Sequence, residues 1–190
     1  NNPIVYSQLT GSSPEVKKAA RTALKDVVTT DDFVRLCEML ETSQPEEVAP
    51  IQEAIIASIA SYSPTEQVKM IDARLVEGGV ETRNLYYKVL AATGDPKALN
   101  SILEGFKKET GEAKEQAFEA LLRWRSSEVA DALFSIANDP SSEAYFDRAL
   151  TAYIRLVSNP ELSGENRLIG LRKAMEIGKT KEQKNTIRLL

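Results

Sequence analysis

The chain has 190 residues, 42% of them hydrophobic and 27% charged, and a formal net charge of −4. That balance supports one packed domain and excludes a disordered chain. With no His and a single Cys, it excludes His-based nucleophile and general-base systems, the usual structural zinc sites and an intramolecular disulfide.

Residues 1–12 read as an N-terminal extension, leaving 13–190 for the folded domain. From Ser13 onward, start signals recur: Ser13-Pro14-Glu15, Ser43-Gln44-Pro45-Glu46, Ser63-Pro64-Thr65-Glu66, Asp95-Pro96, Ser141-Ser142-Glu143 and Thr180-Lys181-Glu182-Gln183. A Ser, Thr or Asp oxygen accepts an orphan N–H of the first turn, and Pro at the first helical position gives up a donor that has no partner there. Ser63 with Glu66 and Thr180 with Gln183 have capping-box spacing. Gly78-Gly79, Gly94 and Gly111 sit where left-handed helix stops are expected.

Between these signals the apolar residues keep helical period, as in Ala20, Ala23, Leu24 and Val27, or Ala117, Ala120, Leu121 and Trp124. No stretch alternates like a strand. The chain therefore parses into five helix pairs: 14–28 with 31–41, 45–61 with 65–77, 80–93 with 96–108, 112–124 with 127–138, and 142–157 with 164–178. A final partial repeat begins at 181, giving about eleven helices. Internal similarity supports the parse. Ala98-Leu99-Asn100-Ser101-Ile102-Leu103 recurs as Ala132-Leu133-Phe134-Ser135-Ile136-Ala137, and the Ala117 and Ala149 stripes match 32 residues apart. The expected fold is all-α, a right-handed α-α superhelix in which each pair buries its stripe on its neighbours.

This pattern resembles HEAT repeats over residues 13–190. Three segments are similar to a narrower HEAT variant: Leu121-Leu122-Arg123-Trp124, Arg148-Ala149-Leu150-Thr151-Ala152-Tyr153-Ile154-Arg155-Leu156-Val157, and the run from Arg172 to Lys184. That variant occurs beside 3-keto-disaccharide hydrolase-type domains in secreted bacterial proteins. The resemblance covers residues 117–190 and departs at Gly178, where the family has a small helical residue. It implies a periplasmic or extracellular accessory module, with carbohydrate reached only through a parent protein. The chain starts at Asn1 rather than Met and stops within a repeat, so a piece of a longer parent is expected.

Other chemistry fails on spacing. Gly178-Lys179-Thr180 looks like the tail of a phosphate-binding loop, but the first Gly of that motif would fall at 173, which is Lys. Asp31-Asp32 and Glu46-Glu47 stand at predicted helix starts, where acids complement the dipole. Cys37, within Phe33–Leu40, is expected to be a buried inert thiol. Of adjacent Tyr86 and Tyr87, one is expected in the core and one partly exposed. Arg123 and Arg155 share a register and are expected to form a ladder with neighbouring acids.

Arg123-Trp124-Arg125 has two readings. An indole between guanidiniums can stack on a planar ligand or sugar; alternatively Trp124 fills the repeat core, in register with Leu156, and the packed reading is preferred. In helical stacks the second helices of the pairs offer the contact surface, which nominates Arg35, Lys69, Asp72, Asn100, Asp131 and Arg172. The expected function is a non-enzymatic scaffold for a protein partner or a linked domain, without metal or cofactor. Residues 148–190 carry 9 basic and 4 acidic residues, whereas residues 1–95 carry 9 and 14. The acidic first half speaks against nucleic acid.

Overall fold

The computed structural model describes residues 3–11, 13–78, 82–124 and 126–190. Those residues form twelve α-helices and no strand. They fall into two compact units, residues 1–120 and 121–190.

In the first unit, α1 (Pro3–Gly11) precedes α2 (Pro14–Ala23), and α3 (Phe33–Glu41), α4 (Pro45–Ile59), α5 (Pro64–Gly78), α6 (Arg83–Thr93) and α7 (Pro96–Lys108) follow. The second unit holds α9 (Ala130–Asn138), α10 (Phe146–Val157), α11 (Gly164–Ile177) and α12 (Lys181–Arg188). Helix α8 (Gly111–Arg123) crosses the division at Ala120. The helix beyond the expected eleven is α1, which packs on α2 and buries Tyr6.

The main contacts within each unit join helices one or two apart in the chain. Successive helices pair, as α3 with α4, α5 with α6 and α9 with α10. Alternate helices then stack: α2 on α4 and α4 on α6 in one layer, α3 on α5 in the other, and α9 on α11 in the second unit. This is a helical-repeat-like arrangement, with the apolar stripes closed between layers: Leu36 and Leu40 on α3, Ile51, Ile55 and Ile59 on α4, and Leu90 on α6 are almost fully buried.

Capping explains where most helices begin. Ser13 accepts from Val16 N, and Asp95 from Lys97 N at 2.8 Å. The capping boxes at Ser63/Glu66 and Thr180/Gln183 both form. Two acids of the predicted pairs do the same work. Asp32 takes the Thr29 N–H at 2.9 Å and Glu47 the Gln44 N–H at 3.2 Å.

Three local expectations need correction. Gly94 has φ +67° and stops α6, but Gly111, with φ +56°, stands at the first residue of α8 rather than closing α7. The start near Ser141 lies earlier, at Asp139-Pro140. Asp139 accepts from the Ser141 N–H and from the hydroxyls of Ser141 and Ser142, and a 3-10 turn runs to Tyr145 before α10 begins. Tyr86 and Tyr87 are both fully buried. Helix α6 is covered by α4 and α5 and also by α7, so two adjacent side chains, about 100° apart around the axis, each meet protein.

Candidate functional site

The Arg123–Trp124 segment was the sharpest candidate for a ligand platform. Trp124 follows the last residue of α8 and is 2% exposed. Its indole N–H donates to Ser126 Oγ at 2.9 Å, and Ser126 passes its own hydroxyl to Glu128. The ring is therefore packed and its polar atom satisfied, which leaves no face for a sugar or base to stack on. Arg125 lies outside the described residues. Arg123, exposed, lines a groove of about 580 Å³ with Leu122, Trp124, Arg155, Leu156 and Pro160.

The ladder expected of Arg123 and Arg155 takes another form. Arg155 Nη2 donates to the Leu122 carbonyl at 3.2 Å. Leu122 belongs to the last turn of α8, whose carbonyls lack helical donors, so a guanidinium from α10 caps a helix end and, among the described residues, pairs with no acid.

The second-layer positions are all exposed. Arg35, Lys69 and Asp72 lie on the contacting helices α3 and α5, Asn100 on α7, and Asp131 and Arg172 on the contacting helices α9 and α11. Arg35 is engaged across helices: its guanidinium carbon sits 3.8 Å from the centroid of the Tyr6 ring on α1. Sequence reasoning missed that contact, because residues 1–12 read as an extension rather than a helix.

The strongest polar cluster is one that no motif announces. Glu41, at the end of α3, receives Arg74 Nε at 2.9 Å and Nη2 at 2.6 Å from α5, and the Tyr86 hydroxyl at 2.8 Å from α6. Cys37 is fully buried beside it, and burial pushes its thiol up to about 11. A neutral thiol behind a satisfied carboxylate is poorly placed for nucleophilic or redox chemistry. The cluster ties three helices together, at separations of 33 and 45 residues that local patterns cannot reveal.

A further tie is local in spirit but long in range. Asp95, 6% exposed, caps α7 with one oxygen and accepts the Thr65 hydroxyl of α5 at 2.8 Å with the other. Among the described residues, no group of three or more His, Cys, Asp or Glu is placed to hold a metal ion, and no helix is long and apolar enough to cross a membrane. No protein-family model, curated protein or solved structure matches the chain.

Proposed function

We propose that this chain is a non-catalytic binding scaffold, a HEAT-like right-handed solenoid that presents the exposed faces of its second-layer helices to a protein partner. One observation carries the reading. The acids Asp32, Glu41, Glu47, Glu66 and Asp95 are spent on helix caps and cross-helix ties, while the charges nominated for contact, Arg35, Lys69, Asp72, Asp131 and Arg172, stand exposed on α3, α5, α9 and α11. An active site concentrates perturbed groups in a cleft; here they serve the frame. The alternation of layer contacts supports the HEAT-like reading.

Site-specific photo-crosslinkers at Lys69, Asp72, Asp131 and Arg172 test this. The expected result is a covalent adduct with one and the same protein, absent from control positions at Lys18 and Thr22 on α2. Substrate turnover by the purified chain, lost on substituting an exposed acid, would overturn it.

A second reading has its own support. The segment resembling the 3-keto-disaccharide hydrolase-associated variant, 117–190, nearly coincides with the compact unit 121–190. On this reading the unit positions a sugar-active neighbour in the periplasm or outside the cell. Its role is positional, because Trp124 offers no stacking face.

A further inference from the structure

We infer that the groove between α11 and α12 is a docking site for an acidic amphipathic helix of a partner protein, an inference that rests on the scaffold reading. Its floor is apolar: Leu168, Leu171 and Met175 from α11 face Ile187 and Leu190 at the other wall, around a volume of about 480 Å³. With Gly164, the α11 residues follow i, i+4, i+7 and i+11, one stripe along the helix and about 16 Å long. Leu168 is 50% and Leu190 51% exposed. A stripe of that length and spacing matches roughly three turns of a partner helix laid along it.

The rim determines the charge of the occupant. Arg167, Arg172 and Arg188 line the groove and no Asp or Glu side chain among the described residues does. Among the described residues, none of the three makes an ion pair, and the Nε of Arg167 is buried without an acceptor. The acids of these two helices, Glu165, Glu176 and Glu182, do not line the groove. Unpaired guanidiniums around an apolar floor call for carboxylates flanking apolar anchors. Single-stranded nucleic acid fits less well, because no aromatic side chain lines the groove for bases to stack on.

The probe is a synthetic helix of about 14 residues with Leu at i, i+4, i+7 and i+11 flanked by Glu, and its twin with Lys in place of every Glu. Fluorescence anisotropy on the full chain should give a Kd on the order of 10 μM for the acidic peptide. Binding should be at least about tenfold weaker for the basic twin, and should weaken as NaCl rises from about 50 to about 500 mM. Leu168→Asp, and separately the pair Arg172→Glu with Arg188→Glu, should each cost about tenfold or more. All three side chains are exposed, so circular dichroism should be unchanged; should Leu168→Asp fail to fold, the arginine pair still decides. Equal binding of the two peptides, or no binding of either, ends the proposal. So does self-association of the chain that Leu168→Asp abolishes, or tighter binding of a single-stranded oligonucleotide than of the acidic peptide. A chain that crosslinks to a partner at Lys69 and Asp72 yet ignores the acidic helix keeps the scaffold reading and loses this one.

Discussion

The two units are held together by different means. In residues 1–120 several cross-helix polar ties are part-buried: Glu41 with Arg74 and Tyr86, Asp95 with Thr65, and Gln52 Nε2 donating to the Leu85 carbonyl at 2.7 Å. In residues 121–190 the comparable ties lie at the surface, as Lys179 with Glu143 and Gln183 with Asp147. There the interior is apolar, with Phe134 against Tyr153 at 5.2 Å between centroids and Val157 against Gly170. A buried tie fixes which helices meet, at the risk of a stranded charge when one partner is lost; an exposed tie is cheap to lose.

The largest effects should come from breaking each interior at its own kind of anchor. Glu41→Ala leaves the Arg74 guanidinium and the Tyr86 hydroxyl without their acceptor and is expected to cost about 3–5 kcal/mol in denaturant unfolding. The double variant Glu41→Met with Arg74→Met should cost less than Glu41→Ala alone, because no charge is then stranded. A double variant as costly as the sum of its singles would mean that the tie is not a coupled unit. In the second unit, Trp124→Ala should cost about 3–5 kcal/mol through lost transfer energy and a cavity. Wild-type Trp124 emission should be blue-shifted and resist iodide; a red-shifted, readily quenched indole would contradict the packing.

Cys37 provides a check on the first interior that needs no substitution. With its thiol buried and pushed up to about 11, the thiolate fraction at pH 8 is small. Labelling by a disulfide reagent should therefore follow unfolding. Rapid stoichiometric labelling of the native chain would show that the α3 core opens locally.

A matched pair of glycines sharpens the comparison further. A Cβ at Gly105 would meet the hydroxyl end of the buried Tyr87 ring, while at Gly170 it would lie 2.5 Å from the Cβ of Val157. The Val157 Cβ is fixed to the α10 backbone, so α11 itself must move. Gly170→Ala should cost about 1–3 kcal/mol, and Gly105→Ala less if Tyr87 can swing. The reverse order in thermal unfolding would mean that the first interior is the more rigid of the two.

What could be read beforehand follows the range of each interaction. Caps are local, so Ser13, Ser63, Asp95 and Thr180 marked their helices correctly, and Thr180 with Gln183 formed the expected box. Periodicity marked the stripe of Ala117, Ala120, Leu121 and Trp124, all four of them buried. Helix α1 escaped because its residues read as an extension; it packs on α2 and buries Tyr6, a tertiary contact that its own sequence does not display. Gly105 and Gly170 were invisible for a different reason. A glycine in a sequence marks a turn as readily as a close helix crossing, and only the partner side chain decides. The Arg167, Arg172 and Arg188 rim could be seen only as an excess of basic residues near the C-terminus, since its meaning depends on the apolar floor that α11 and α12 assemble.

The smallest effect should come from the exposed ties. Lys108 and Glu104 form an i,i+4 pair on α7 with side chains 74% and 63% exposed. Water screens such a pair and holding two long side chains in place costs entropy, so Lys108→Ala should change stability by about 0.5 kcal/mol or less. Lys179 differs in a way that can be measured. Its ammonium reaches Glu143 at 2.6 Å and also sits 4.0 Å from the centroid of Phe146, so it spans two kinds of contact between α10 and the segment before α12. If the ion pair alone matters, about 0.5 M NaCl should erase the cost of Lys179→Met, since screening acts on exposed charges. If the ring contact carries part of it, a residual loss on the order of 0.5 kcal/mol should survive the salt. Thermal melts of Lys108→Ala and Lys179→Met in low and high salt separate the two cases. An effect above about 2 kcal/mol from either would show that surface charge, rather than interior packing, sets the stability of its unit.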